Sequence, residues 1–183
     1  MDIESLIQGI VGEVKSVSGV QAIVLGGSRA RGTYHSASDI DLGIYYDAHH
    51  PLNLSELAKV ATKLDDENRT DLITPIGGWG PWINGGGWLR IQSVPVDFLY
   101  RDLDKLNSVI SSCLDGKVEI FYQPGHPLGF VSSIYLGETA ICQPLWDPEG
   151  IVQGFFCKIK IKCFIKKNNS ANQNLENSNM FCR

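Results

Sequence analysis

The chain has 183 residues, 43% of them hydrophobic and 20% charged, with a formal net charge of −4. That length suits one full domain with room for part of a second, and no run approaches the ~18 apolar residues of a transmembrane helix. The first residues, Met1-Asp2-Ile3-Glu4, lack the basic start and apolar centre of a signal peptide, so cytoplasm and reduced cysteines are the expected setting.

Charge is unevenly placed. Residues 154–183 hold five lysines and one arginine against the single acid Glu176, a surplus of +5 that leaves −9 for residues 1–153. An acidic body argues against broad nucleic-acid binding, which calls for a basic face, and suits a protein that gathers cations at one place. The five cysteines form no CxxC pair and no zinc-type cluster with histidine.

In chain order, Ile3, Leu6, Ile7, Ile10, Val11 and Val14 recur at helical spacing and predict an amphipathic helix over 2–17. Gln21 to Leu25 reads as a buried strand that runs into Gly26-Gly27-Ser28, with a first helical turn over 29–32. Residues 39–46 alternate and predict a second strand; 54–67 predict another helix. Glycine and proline are so dense over 75–88 that no regular element is expected there. A hairpin follows, Trp88–Ile91 and Val94–Tyr100 about a Gln92-Ser93 turn, then a helix over 102–114. The stretch 118–147 mixes short apolar runs with three prolines and gives no firm assignment.

From Gly154 the composition changes: lysine alternates with Phe, Ile and Cys, and an asparagine-rich stretch follows from Asn168. The pattern predicts no closing helix. It reads as sequence foreign to the fold, as a frameshift or truncation would leave, as an edge strand with lysines outward, or as a basic strip for membrane or RNA. The asparagine-rich part is expected to be disordered. The domain plan expected is therefore a core over 1–115, the start of a C-terminal region over 116–153, and an atypical tail over 154–183.

The chemistry gathers in three places. Side chains alternate along a strand, so Asp39 and Asp41 share one face while Ile40, Leu42 and Ile44 point to the core. In Val94–Tyr100, Asp97 stands opposite an apolar face of Val94, Val96, Phe98 and Tyr100. If the two strands are neighbours, three carboxylates converge, and hard oxygen donors crowded together call for a divalent cation. Gly26-Gly27-Ser28 adds a turn where backbone can approach a phosphate closely, with Arg29 or Arg31 supplying positive charge. This is neither a Walker loop nor a dinucleotide fingerprint. Trp79, Trp82 and Trp88 read either as stacking surfaces for a ring or as anchors of the glycine-rich loop. Asp65-Asp66-Glu67 reads as a solvated helix end and Asp147 as a turn residue.

Gly27-Ser28, ten residues, then Asp39-Ile40-Asp41 resembles the signature of the DNA polymerase beta-like nucleotidyltransferase superfamily. The fuller string, Gly26 to Gly32 and Ser38 to Leu42, is similar to its small bacterial branch of antibiotic-modifying and minimal nucleotidyltransferases. The resemblance spans roughly residues 1–115. It implies an α/β (α+β) fold, a small mixed sheet flanked by helices. It also implies catalytic and metal-binding roles for Asp39, Asp41 and Asp97, and triphosphate binding by Gly27, Ser28 and Arg31. Two Mg2+ ions, or Mn2+, and ATP as co-substrate go with it. The implied reaction transfers a nucleoside monophosphate to an acceptor hydroxyl, that of a small molecule, with release of pyrophosphate. The alternatives are an antitoxin-type enzyme that modifies protein or RNA, and a truncated nucleotide-binding remnant. In many antibiotic-modifying relatives a helical C-terminal domain completes the acceptor pocket. The sequence specifies neither the acceptor nor the oligomeric state.

Overall fold

The computed structural model of the protein describes residues 2–123 and 126–162. Asp2 opens helix α1 (Ile3–Val14) by accepting the Glu4 amide at 3.1 Å. The apolar stripe of α1, Leu6, Ile7, Ile10, Val11 and Val14, is buried throughout. The expected elements then appear in order: β1 (Ala22–Leu25), the short α2 (Gly27–Arg31), β2 (Ile40–Tyr46) and α3 (Leu54–Leu64). Next come α4 (Gly80–Ile83), β3 (Gly86–Ile91), β4 (Val94–Asp102) and α5 (Leu103–Leu114). The four-residue α4 and the first residues of β3 correct the expectation that 75–88 holds nothing regular.

The unassigned stretch forms a two-stranded hairpin, β5 (Ile120–Gln123) with β6 (His126–Val131), then α6 (Ser133–Ile141) and β7 (Gln143–Trp146). β7 pairs antiparallel with β1 and completes a five-stranded mixed sheet of order β3-β4-β2-β1-β7. The core sheet therefore draws on residues well beyond 115. Only β2 and β4 run parallel, and they lie side by side.

One face of the sheet carries Ile23, Ile40, Leu42, Ile44, Leu89, Val96, Phe98 and Tyr100 and packs with the stripe of α1 and with Leu57 and Ala61 of α3. The other face carries Ala22, Val24 and Tyr45, which pack with α5, Phe130, Tyr135 and Cys142. Residues 151–162 close this second layer as a helix, α7. Its Val152, Phe155 and Ile159 are buried, spaced three and four apart on one face. Lys158, Lys160 and Lys162 are exposed, and Lys158 Nζ reaches Asn107 and Ser111 of α5. This corrects the reading of 154–162 as an edge strand and the expectation of no closing helix: the lysine alternation concealed a helical stripe. Residues 163–183 lie outside the described residues.

Two acidic clusters also differ from expectation. Asp65 is buried and accepts Arg69 Nη2 at 2.6 Å and the Arg90 amide at 3.0 Å, so it ties α3 to β3 instead of standing in solvent. Asp66 accepts the amides of Gln92 and Ser93 at 2.7 and 2.8 Å. These two hairpin residues have φ of 50° and 68°, and the carboxylate fixes a turn made without glycine. Asp147 accepts the amides of Ile151, Val152 and Gln153 and so starts α7. Among the described residues no helix is long and apolar enough to cross a membrane, and Cys113, Cys142 and Cys157 are free thiols.

Candidate functional site

Parallel pairing sets Asp41 of β2 directly opposite Asp97 of β4. Asp39, one alternation earlier, joins them, and one carboxylate oxygen from each lies within 4.8 Å of the others. The expected convergence of Asp39, Asp41 and Asp97 is present, on the face of the sheet away from α1. All three are partly exposed, at the end of that face which the α5–α7 layer leaves open.

The glycine turn closes the site on the β1 side. The Gly26 amide donates to the Asp41 carbonyl at 2.8 Å, which continues the β1–β2 ladder one residue into the turn. Gly27 has φ +59°, and a Cβ there would overlap Asp41 Oδ2. Only glycine lets the turn lie against the carboxylate. Ser28 Oγ is buried with no hydrogen-bond partner in the protein, a cost that a ligand oxygen would relieve. Arg29 is buried; its Nε donates to the Asp39 carbonyl at 2.7 Å and its Nη2 to the Ser38 carbonyl at 2.5 Å. It braces the entry to β2, so its charge is spent on backbone. Arg31, by contrast, lines the cleft with Gly26, Gly27 and Asp41.

Two residues that sequence reasoning missed complete the cleft. Arg101 follows Asp97 and Leu99 at alternating positions on β4, and it is buried. Its Nη2 donates to Glu138 Oε2 of α6 at 2.9 Å, and its guanidinium lies over the Tyr135 ring, 5.3 Å from the ring centre. Alternation along β4 could have revealed Arg101; nothing in the sequence marked Glu138. The tryptophans divide. Trp82 belongs to the core, stacked on Phe121 at 4.1 Å with Lys105 over its ring. Trp79 and Trp88 stack on one another at 4.5 Å, and Trp88 is exposed.

Burial is the main reason that Asp41 holds its proton more tightly than usual; Asp39 and Glu138 add to this, and Arg29 offsets part of it. Asp97 is pushed up to about 6, by burial first and then by Asp41 and Asp39. Such a crowded set of hard oxygens can hold a divalent cation, which would relieve the repulsion. A pH dependence follows for the metal-free protein. Folded Asp97 keeps its proton up to about pH 6, whereas an unfolded aspartate loses it near 3.8. Stability is therefore expected to fall as pH rises from about 4 to about 6, then to level. Asp65 works the other way: Arg69 holds its carboxyl well below the usual range, so its contribution is complete above about 4. Melting temperatures in chelator across pH 4–7 should show this slope, reduced in Asp97→Asn. An unchanged slope would locate the proton elsewhere.

Three clustered carboxylates beside a glycine turn on a mixed sheet form an arrangement that can serve phosphate chemistry. Residues 7–79 match the family model described as nucleotidyltransferase domain. That segment runs from α1 through β1, the glycine turn and β2, and so contains Asp39 and Asp41; Asp97 enters through strand pairing. The match is consistent with the polymerase beta-like superfamily and supports nucleotidyl transfer as the enzyme class. No curated protein matches the sequence.

Proposed function

We propose that the protein transfers a nucleoside monophosphate from ATP to a hydroxyl of a small molecule, releasing pyrophosphate. The observation that carries this reading is the carboxylate cluster, with oxygens within 4.8 Å, beside a glycine turn whose Ser28 Oγ has no partner. Asp39, Asp41 and Asp97 would hold Mg2+, as a pair of ions, or Mn2+. When bound, such ions supply charge neutralisation for the triphosphate and for the developing transition-state charge.

The chain's own groups do the positioning. Gly27 leaves room for phosphate against the backbone, Ser28 Oγ donates to a phosphate oxygen, and Arg31 faces the cleft with a further positive charge. Arg29 fixes Asp39 through the strand backbone. Asp97 completes the acid set and, facing the acceptor side, takes up the acceptor proton. The bond from the acceptor oxygen to the α-phosphorus forms as the bond to pyrophosphate breaks.

The test is titration with ATP, with and without magnesium, followed by release of labelled AMP or its adduct. Binding should require the metal. Ser28→Ala should weaken it by about 1 kcal/mol, the usual net worth of one hydrogen bond. Equal affinity in magnesium and in chelator would reject the mechanism.

A further inference from the structure

Strand register arranges four positions in one row across the sheet. Trp88 of β3 is paired with Asp97 of β4, Asp97 with Asp41 of β2, and Asp41 with the Gly26 amide at the end of β1. Directly paired residues project from the same face of a sheet. At about 4.8 Å between strands, the row spans about 14 Å. In order it reads exposed indole, acid, acid, glycine turn.

The indole end is built with care. Trp88 is 61% exposed, which is costly for so large an apolar side chain and unlike Trp82, which is partly buried against the core and stacked on Phe121. It is nevertheless held: Trp79 stacks on it with centroids 4.5 Å apart and planes 24° apart. Trp79 in turn lies over Gly86, where an added Cβ would come within 2.9 Å of the Trp79 ring and would overlap the Phe98 carbonyl. Gly86 pairs with Leu99, a lining residue of the cleft that holds Asp41. A supported aromatic face thus adjoins the acid cluster on the side opposite the glycine turn.

The reaction assigns the two ends. Displacement at the α-phosphorus brings the attacking oxygen in line with, and opposite to, the leaving pyrophosphate. If the triphosphate tail rests on Gly27 and Ser28, the acceptor arrives from beyond Asp97, over Trp88. We infer that Trp88, backed by Trp79, is the acceptor platform, and that the acceptor carries its hydroxyl on a ring that stacks on the indole. This rests on the transfer reaction proposed above. Trp88 acts as a specificity and positioning residue, and the transfer step itself is unchanged.

The experiment uses the full chain with α-labelled ATP and magnesium. The acceptor panel pairs ring-borne hydroxyls (methyl pyranosides, inositol, N-acetyltyrosinamide) with open-chain ones (glycerol, sorbitol). Wild type should label ring-bearing members preferentially. Trp88→Ala should raise the acceptor KM about tenfold or more with an unchanged Kd for magnesium ATP, and Trp88→Phe should restore most of the loss. The exposure of Trp88 makes the alanine variant a mild one for folding, which its melting curve checks. Equal labelling of sorbitol and inositol, an unchanged KM in Trp88→Ala, or AMP release with no ring-bearing acceptor labelled would overturn the platform. A weakened Kd for ATP in Trp88→Ala would assign the indole to the nucleobase and overturn it too. No metal-dependent consumption of ATP at all would instead reject the transfer reaction on which it rests.

Discussion

Asp41→Asn is expected to lower nucleotidyl transfer about a thousandfold or more while leaving the metal-free fold at least as stable as wild type. Asp41 stands at the centre of the site: it is paired with Asp97 across the strands, its carbonyl receives the Gly26 amide, and its carboxyl abuts Gly27. Asparagine keeps that shape and removes the charge. Loss of one anionic ligand from a metal site that neutralises phosphate removes several kcal/mol of transition-state stabilisation, and about 4 kcal/mol is a thousandfold. Stability should move the other way, because burial and the charge of Asp39 already disfavour the Asp41 carboxylate. The measurement is turnover of labelled ATP alongside a melting curve in chelator. A variant that loses activity and stability together would mean that Asp41 serves the fold; retained turnover would remove it from the catalytic set.

The legible parts of this protein were those in which a local pattern maps onto one physical requirement. Alternation along residues 39–46 and 94–100 put each acid opposite a buried apolar row, and the parallel pairing of β2 with β4 turned that into a cluster. The illegible parts depend on partners far along the chain. Asp65 and Asp66 look like a solvated helix end until Arg69, Arg90 and the Gln92-Ser93 turn come to them. Glu138 gains meaning only when α6 lays it against Arg101. In α7, Lys158, Lys160 and Lys162 gave a period-two appearance, while burial followed Val152, Phe155 and Ile159 at helical spacing. The tryptophans were ambiguous for the same reason: strand register, and not the sequence, separates Trp88 beside Asp97 from Trp82 in the core.

Gly27→Ala should abolish most activity, and Gly32, the glycine that caps the far end of α2, supplies the control. Gly27 and Gly32 both have positive φ, +59° and +73°, so alanine at either pays a backbone penalty of about 1–2 kcal/mol. The surroundings differ. A Cβ on Gly32 meets nothing within 4 Å, whereas one on Gly27 would lie 2.6 Å from the Asp41 carboxyl carbon and overlap its Oδ2. Relief requires Asp41 to swing away from Asp39 and Asp97, or the turn to retreat and take Ser28 with it. Either movement separates groups that must act on one phosphate, and misplacement by about 1 Å can cost a hundredfold in rate. Gly27→Ala is therefore expected to lose at least about a hundredfold in turnover and to bind magnesium ATP weakly. Gly32→Ala should show a comparable backbone penalty in its melting temperature with turnover within a few-fold of wild type. Equal loss of activity in both variants would reduce the effect to backbone strain in the turn, and the close packing of Gly27 on Asp41 would then carry no catalytic meaning.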